Sequence, residues 1–180
     1  EYGEPIHILK GHSDSVHGVI FSRDGRHIAS CSRDQTARIW NAIDGKEEIV
    51  HRGHTGGVRV LALTPDGNRL ATGCEDFSVK VWDLTRKPGT VTINGGAGGL
   101  AFSPDGTRLT SGSSVWSALD GALIAGNGAN ARQGRPAFAS DGKLIANGLS
   151  IRDAWSADII RFLEWKSSMR DPYGVSISPG

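Results

Sequence analysis

Short apolar bursts, each ended by turn-forming residues, run along this chain. The first is Val16-His17-Gly18-Val19-Ile20-Phe21, stopped by Asp24-Gly25. Runs of this length, rich in β-branched residues and bounded by Gly, Asp, Ser or Pro, predict strands and not helices. The first burst reads as a buried inner strand, residues 26–31 as a second and residues 36–40 as a third. Asp44-Gly45 then turns the chain into a fourth, residues 47–51. The same order returns at residues 58–63, 68–74, 78–82 and 90–93, with Pro88-Gly89 replacing the second Asp-Gly turn. Asp-Gly pairs begin at Asp24, Asp44, Asp66, Asp105, Asp120 and Asp141, and such pairs are hairpin turn signals.

The two rounds are copies of one unit. Gly11-His12, Ser22-Arg23-Asp24-Gly25, Ser30, Asp34 and Ile39-Trp40-Asn41 recur as Gly53-His54, Thr64-Pro65-Asp66-Gly67, Thr72, Asp76 and Val81-Trp82-Asp83. His12 to His54, Asp24 to Asp66 and Trp40 to Trp82 are each 42 residues apart. Further on, the inner-strand turns at Asp66, Asp105 and Asp141 step by 39 and then 36. Gly67 to Trp82 is 15 residues, whereas Gly106 to Trp116 and Gly142 to Arg152 are 10. Both later repeats thus lack five residues between their second and third strands, and Asn147-Gly148 reads as the shortened hairpin loop of the last one.

A period in the forties, opening near Gly-His and closing near Trp-Asp, describes one propeller blade per repeat. These residues resemble the WD-repeat family of β-propellers, most specifically over residues 9–84. The expected fold is all-β: a propeller of four-stranded antiparallel blades, about four of them, forming part of a larger ring of seven by family habit. Blades are expected at residues 10–51, 52–93, 94–131 and 132–165. Residues 1–9 would be the outer strand of a preceding blade, and residues 172–180 the inner strand of a following one.

In that family a side-chain network links His, Ser or Thr, Asp and Trp within each blade. Carried over by position, it is His12, Ser30, Asp34 and Trp40 in blade one, and His54, Thr72, Asp76 and Trp82 in blade two. The residue types suit a relay. An indole N–H only donates, a hydroxyl both accepts and donates, and an imidazole passes the chain of bonds to a carboxylate. Blade three keeps Ser111 and Trp116, but Ile93 stands at its His position. Blade four keeps none of the four: Asn147 takes the hydroxyl position, and Arg152, at the Trp position, is expected to reach solvent or pair with Asp153 or Asp158.

Composition narrows the function classes. Twenty basic and 19 acidic residues leave a net charge of +1, without the basic excess of a nucleic-acid binder. No apolar run is long enough for a membrane span. Glu1-Tyr2-Gly3-Glu4-Pro5 is unlike a signal peptide and lacks an initiating Met, which points to a chain cut from something longer. Cys31 and Cys74 read as small, buried, reduced side chains, and an intracellular location, cytoplasmic or nuclear, is expected.

Sharper chemistry fares poorly. His12 and His54 invite a metal reading, and Ser30, His12 and Asp34 a catalytic triad. Both sets recur with a Trp in equivalent places, which one active site would not require. Gly95-Gly96-Ala97-Gly98-Gly99 lacks the Lys-Ser/Thr of a phosphate loop and reads, like Gly126-Asn127-Gly128-Ala129-Asn130, as a connection between blades. His51-Arg52 reads as a solvated basic loop. Trp155 and Trp165, outside the repeat, are candidates for core packing or an exposed contact. No catalytic residue, cofactor or metal ligand is expected.

By the family pattern, exposed positions on one rim lie three and five residues after the repeat His and one before the network Asp. These are Ser15, His17 and Arg33, then Gly57, Arg59 and Glu75, with Gly96, Gly98, Arg132 and Gly134 following by alignment. The resemblance therefore implies a scaffold that docks a protein or peptide, and the arginines suit an acidic or phosphorylated one. A regulatory segment of a larger multidomain protein, such as a nucleotide-switch ATPase, is the alternative. An enzyme is the remote one. Open blade edges would allow self-association.

Overall fold

The computed structural model describes residues 3–85, 89–95, 98–126 and 134–162. All regular structure among them is β, in four antiparallel sheets of four strands. Blade one consists of β1 (Val16–Phe21), β2 (His27–Ser32), β3 (Ala37–Asn41) and β4 (Glu47–His51). Blade two holds β5 (Val58–Leu63), β6 (Arg69–Cys74), β7 (Ser78–Asp83) and β8 (Thr90–Asn94). Blade three holds β9 (Leu100–Phe102), β10 (Arg108–Ser111), β11 (Ser114–Ser117) and β12 (Leu123–Ala125). Blade four holds β13 (Ala137–Phe138), β14 (Leu144–Asn147), β15 (Ser150–Asp153) and β16 (Ile159–Phe162). In every sheet the strands neighbour one another in chain order.

Inner strands pack side by side: β5 against β1 and β2, β9 against β5 and β6, β13 against β9. The apolar core lies between blades, not within them. Ala29, Cys31, Ala37 and Ile39 of blade one meet Val58, Leu70 and Trp82 of blade two. Ala71, Val79, Val81 and Ile93 then meet Phe102, Leu109, Trp116 and Ala118 of blade three. The last interface, of Val115 with Ile145, Ala154 and Ala157, is built from smaller side chains. Both cysteines are buried thiols, and burial pushes Cys31 up to about 12 and Cys74 to about 11.

The turns have a common construction. Gly25 N–H donates to Ser22 O at 2.9 Å, closing a β-turn whose last residue sits at φ +69°. Glycine at that position fits the type I turn. Ser22 Oγ donates to Asp24 Oδ1 at 2.6 Å and accepts the His27 N–H at 2.9 Å. Thr64 with Asp66 and Ser103 with Asp105 repeat the arrangement. The Ser103 and Thr107 hydrogen bonds hold Asp105 down to about 2. Ala139 has no hydroxyl, so among the described residues Asp141 accepts only the Lys143 N–H, at 2.9 Å.

Four expectations need correction. Residues 6–9 are not a strand; a strand needs a ladder partner, and none lies beside them among the described residues. His7 Nε2 instead lies 2.7 Å from Ile43 O. Strand β1 is not buried: Val16, Val19 and Phe21 are exposed, because only its face toward blade two is covered. The short hairpin loop of blade four is Gly148-Leu149, one residue later than expected, since Asn147 still pairs with Ser150 in the ladder. Gly148 at φ +57° and its counterpart Gly112 at +61° suit the first position of a type II′ turn. Finally, Arg152 does not seek a carboxylate. Its guanidinium donates to Ser150 Oγ at 3.3 Å and Ala157 O at 2.9 Å. Residues 172–180, Trp165 and Arg132 lie outside the described residues.

Candidate functional site

Each complete network is a one-way relay. Trp40 Nε1 donates to Ser30 Oγ at 2.8 Å, and Ser30 Oγ lies 2.7 Å from His12 Nε2. His12 Nδ1 lies 2.8 Å from Asp34 Oδ2. Because indole can only donate, the serine proton is left for Nε2, and the imidazole proton sits on Nδ1 facing the carboxylate. Blade two repeats it with Trp82 to Thr72 at 2.8 Å, Thr72 to His54 at 2.8 Å and His54 to Asp76 at 3.2 Å.

The carboxylates carry more than the relay. Asp34 also accepts Ser13 N–H at 3.1 Å, Thr36 N–H at 3.0 Å and Thr36 Oγ1 at 2.6 Å. Asp76 accepts Thr55 N–H at 3.0 Å, Ser78 N–H at 2.9 Å and Ser78 Oγ at 2.6 Å. Burial alone would raise these carboxyls. The donors outweigh it and hold both well below the ordinary carboxylate range. Thr36 and Ser78 are network members that the family pattern did not supply. Their signal in the sequence is a hydroxyl two residues after each network Asp.

The Ser30–His12–Asp34 geometry resembles a charge-relay triad, yet its surroundings remove the reactivity. Ser30 is 4% exposed and Thr72 fully buried, and each hydroxyl already receives an indole N–H. A nucleophile must face a substrate and an oxyanion hole. His54, Cys74 and Asp76 bring ligand-type atoms within 4.8 Å of one another. Both His54 nitrogens are engaged, Cys74 Sγ accepts the Asp76 N–H at 3.4 Å, and the raised thiol disfavours the thiolate a metal needs.

Blades three and four lack the relay. Trp116 Nε1 is buried and, among the described residues, finds no hydrogen-bond partner. Asn147 turns its amide N–H to Gly112 O across the blade boundary.

A family model described as "WD domain, G-beta repeat" matches residues 3–41 and 45–83. These are WD repeats. Each match ends on the tryptophan strand of a blade. Among curated relatives, human Striatin-4 is 51% identical over 35 residues, covering 19% of this chain and 5% of its own. The Notchless protein homolog of Arabidopsis thaliana is 45% identical over 49 residues, 27% of this chain and 10% of its own. The probable cytosolic iron-sulfur protein assembly protein CIAO1 homolog of Chlamydomonas reinhardtii is 53% identical over 38 residues, 21% of this chain and 11% of its own. The matched segment thus spans about a tenth or less of each of these relatives.

The rim positions gather around the turns that join second to third strands. Arg33 N–H donates to Ser15 O at 2.9 Å, and Glu75 N–H to Gly57 O at 3.0 Å. His17 and Arg59 each occupy a bulge, where the ladder skips between Val16 and Gly18 and between Val58 and Val60. Bulges re-aim side chains. Arg59 Nε donates to Glu75 Oε1 at 2.7 Å, Arg59 Nη2 bonds the same oxygen, and this guanidinium holds Glu75 below its ordinary range.

Two positions differ from the expectation of exposure. Gly57 is buried: a Cβ there would lie 2.9 Å from Glu75 Oε2 and 3.3 Å from Arg33 Cα, so it is a spacer between blades. His17 is half-buried, with Nε2 sealed from solvent and without a partner among the described residues. Ser15, Arg33, Arg59 and Glu75 are exposed. His51, expected as part of a solvated basic loop, packs its ring 4.8 Å from that of Trp82, and burial lowers its pKa. Trp155 is 65% exposed, with the Arg108 guanidinium 4.4 Å from its ring centre.

Proposed function

We propose that this chain is a non-catalytic docking scaffold that binds a protein or peptide partner on the rim formed by Ser15, Arg33, Arg59 and Glu75. One observation supports it most. Arg59 and Glu75 neutralise each other, while the exposed Arg33 side chain beside them makes no hydrogen bond or ion pair among the described residues. The cluster carries one net positive charge, centred on Arg33. A carboxylate or phosphate of the partner matches a guanidinium fork, and Ser15 and the Arg59–Glu75 pair flank it.

WD-repeat proteins are in general non-catalytic, and the CIAO1 homolog is named for iron-sulfur protein assembly. Such relatives favour a part in assembling or regulating other proteins, inside the cell, as one segment of a longer chain. No described helix is long and apolar enough to cross a membrane.

The test is a screen of the chain against immobilised acidic and phosphoserine peptides, repeated with Arg33→Glu. The reading expects at least one binder that Arg33→Glu loses while its melting temperature stays at the parental value. Retention of every binder by Arg33→Glu would refute the rim. Self-association is a second reading, supported by Ile159, Ile160 and Phe162, all exposed on the outer strand β16. Light scattering on the chain and on Ile160→Lys separates it, because an edge-paired dimer would dissociate in the variant.

A further inference from the structure

A basic residue opens the second strand of the first three blades, His27, Arg69 and Arg108, whereas Leu144 opens that of blade four. Their equivalence follows from the ladders, in which the next residue faces the tryptophan: Ile28 opposite Trp40, Leu70 opposite Trp82 and Leu109 opposite Trp116, just as Ile145, after Leu144, faces Arg152. Arg108 is 7% exposed and crosses from blade three into blade four. Its Nη1 donates to Ala154 O at 3.1 Å and its Nη2 to Gly142 O at 2.9 Å. The groove between these blades is a guanidinium site that the chain fills itself.

The groove between blades one and two is built from the same backbone. Leu84 N–H donates to Asn68 O at 2.8 Å, as Ala154 N–H does to Lys143 O at 2.9 Å. Gly67 sits at φ +72° and Gly142 at +70°. The difference lies in what enters. A Cβ on Gly142 would lie 3.2 Å from Arg108 Nη2, whereas one on Gly67 would meet nothing within 4 Å. Between blades two and three the space over Gly106 is narrowed by the Thr64 methyl, 3.4 Å from such a Cβ. Ser22, the counterpart of Thr64, has no methyl.

Blade one offers only His27, whose Nε2 pairs sideways with Glu48 at 3.3 Å. A cavity of about 340 Å³ remains, lined by Asp24, His27, Glu48, Asp66, Gly67 and Leu84 among others. Neither Gly67 O nor Leu84 O accepts a hydrogen bond among the described residues. The three carboxylates face one arginine, Arg23, and the imidazole.

We infer that this groove is a binding site for an arginine side chain of a partner protein, its guanidinium donating to Gly67 O and Leu84 O as Arg108 does to Gly142 O and Ala154 O. Glu48 and Asp66 supply the counter-charge. Two carbonyls set for two donors select the planar fork of arginine over the point charge of lysine. The volume is that of a small-ligand pocket. The groove opens among the Asp-Gly turns, away from the second-to-third-strand turns that carry the docking rim, so either site can exist without the other.

The probe is the peptide acetyl-Gly-Arg-Gly-amide, titrated into the chain and followed by amide chemical shifts. Saturable shifts are expected at Gly67, Asn68, Leu84 and Glu48, with Kd in the millimolar range. The lysine analogue should bind about tenfold more weakly. His27→Arg should abolish the shifts and raise the melting temperature, because its own guanidinium then takes the place that Arg108 takes in the later groove. Glu48→Gln, which leaves the groove open, should weaken binding several-fold. No saturable shift, equal binding of the two peptides, or undiminished binding to both variants would overturn the site.

Discussion

Replacing Asp34 by alanine removes the carboxylate on which blade one converges. Four donors lose their acceptor: His12 Nδ1, Ser13 N–H, Thr36 N–H and Thr36 Oγ1, at 2.6–3.1 Å. The side chain is 4% exposed, so water cannot take over without opening the turn. A bond to a charged group contributes about 1.5–3 kcal/mol, and a buried donor left unpaired costs about 1–3 kcal/mol. These terms are not additive, because Thr36 supplies two of the donors and the turn relaxes. A net loss of about 3 kcal/mol is expected, near the upper end for single substitutions. In a chain of this size that lowers the melting temperature by about 6–12 °C. Circular dichroism melts of the parent and Asp34→Ala at pH 7 measure it. A variant that melts within a degree of the parent would refute the network as a structural element.

Three further outcomes follow from the same geometry. Trp82→Phe should cost about 1 kcal/mol more than Trp116→Phe, because the Trp82 indole donates to Thr72 while Trp116 Nε1 has no partner among the described residues; equal urea midpoints would contradict this. Arg108→Leu strips the donors from Ala154 O and Gly142 O and should cost on the order of 2–3 kcal/mol, read as faster amide exchange in β14 and β15, and unchanged exchange there would remove the clamp. Acid should act in two steps. Burial depresses His51, and burial against the pull of Asp76 depresses His54, so their contribution is full above a pH of about 6.5 and drains as pH falls. Asp34 and Asp76, also depressed, hold theirs until pH falls below about 4. Urea midpoints flat from neutral pH down to the carboxylate range would sink the first step.

How much was legible depended on whether a feature repeats. The 42-residue offset carried every strand of blades one and two to within a residue or two, since the turn and ladder chemistry recurs in both copies. The five-residue gap located the shortened hairpins, but not that the loop begins after Asn147, because a ladder pair and a turn residue look alike in a single strand end. Arg152 was misjudged for a physical reason. Sequence shows the nearest carboxylates, Asp153 and Asp158, but not that the backbone at Ala157 turns its carbonyl toward the guanidinium. At the proposed rim, the sequence pattern did not show that Gly57 is buried, that His17 is half-buried or that two of the charges pair. Arg59 and Glu75 are 16 residues apart in the chain, and only the β5–β6 register makes them a pair. Arg108 left no local signal; its role appears only when blades three and four are set side by side.

Arg33 and Asp34 are adjacent in sequence, yet Arg33 is proposed to dock a partner while Asp34 braces the blade. The most direct measurement is the binding isotherm of Arg33→Glu for an acidic or phosphoserine peptide bound by the parent chain, taken well below both melting temperatures. A loss of affinity of at least tenfold, about 1.4 kcal/mol, is expected with an unchanged melt. An isotherm that overlays that of the parent chain would contradict it.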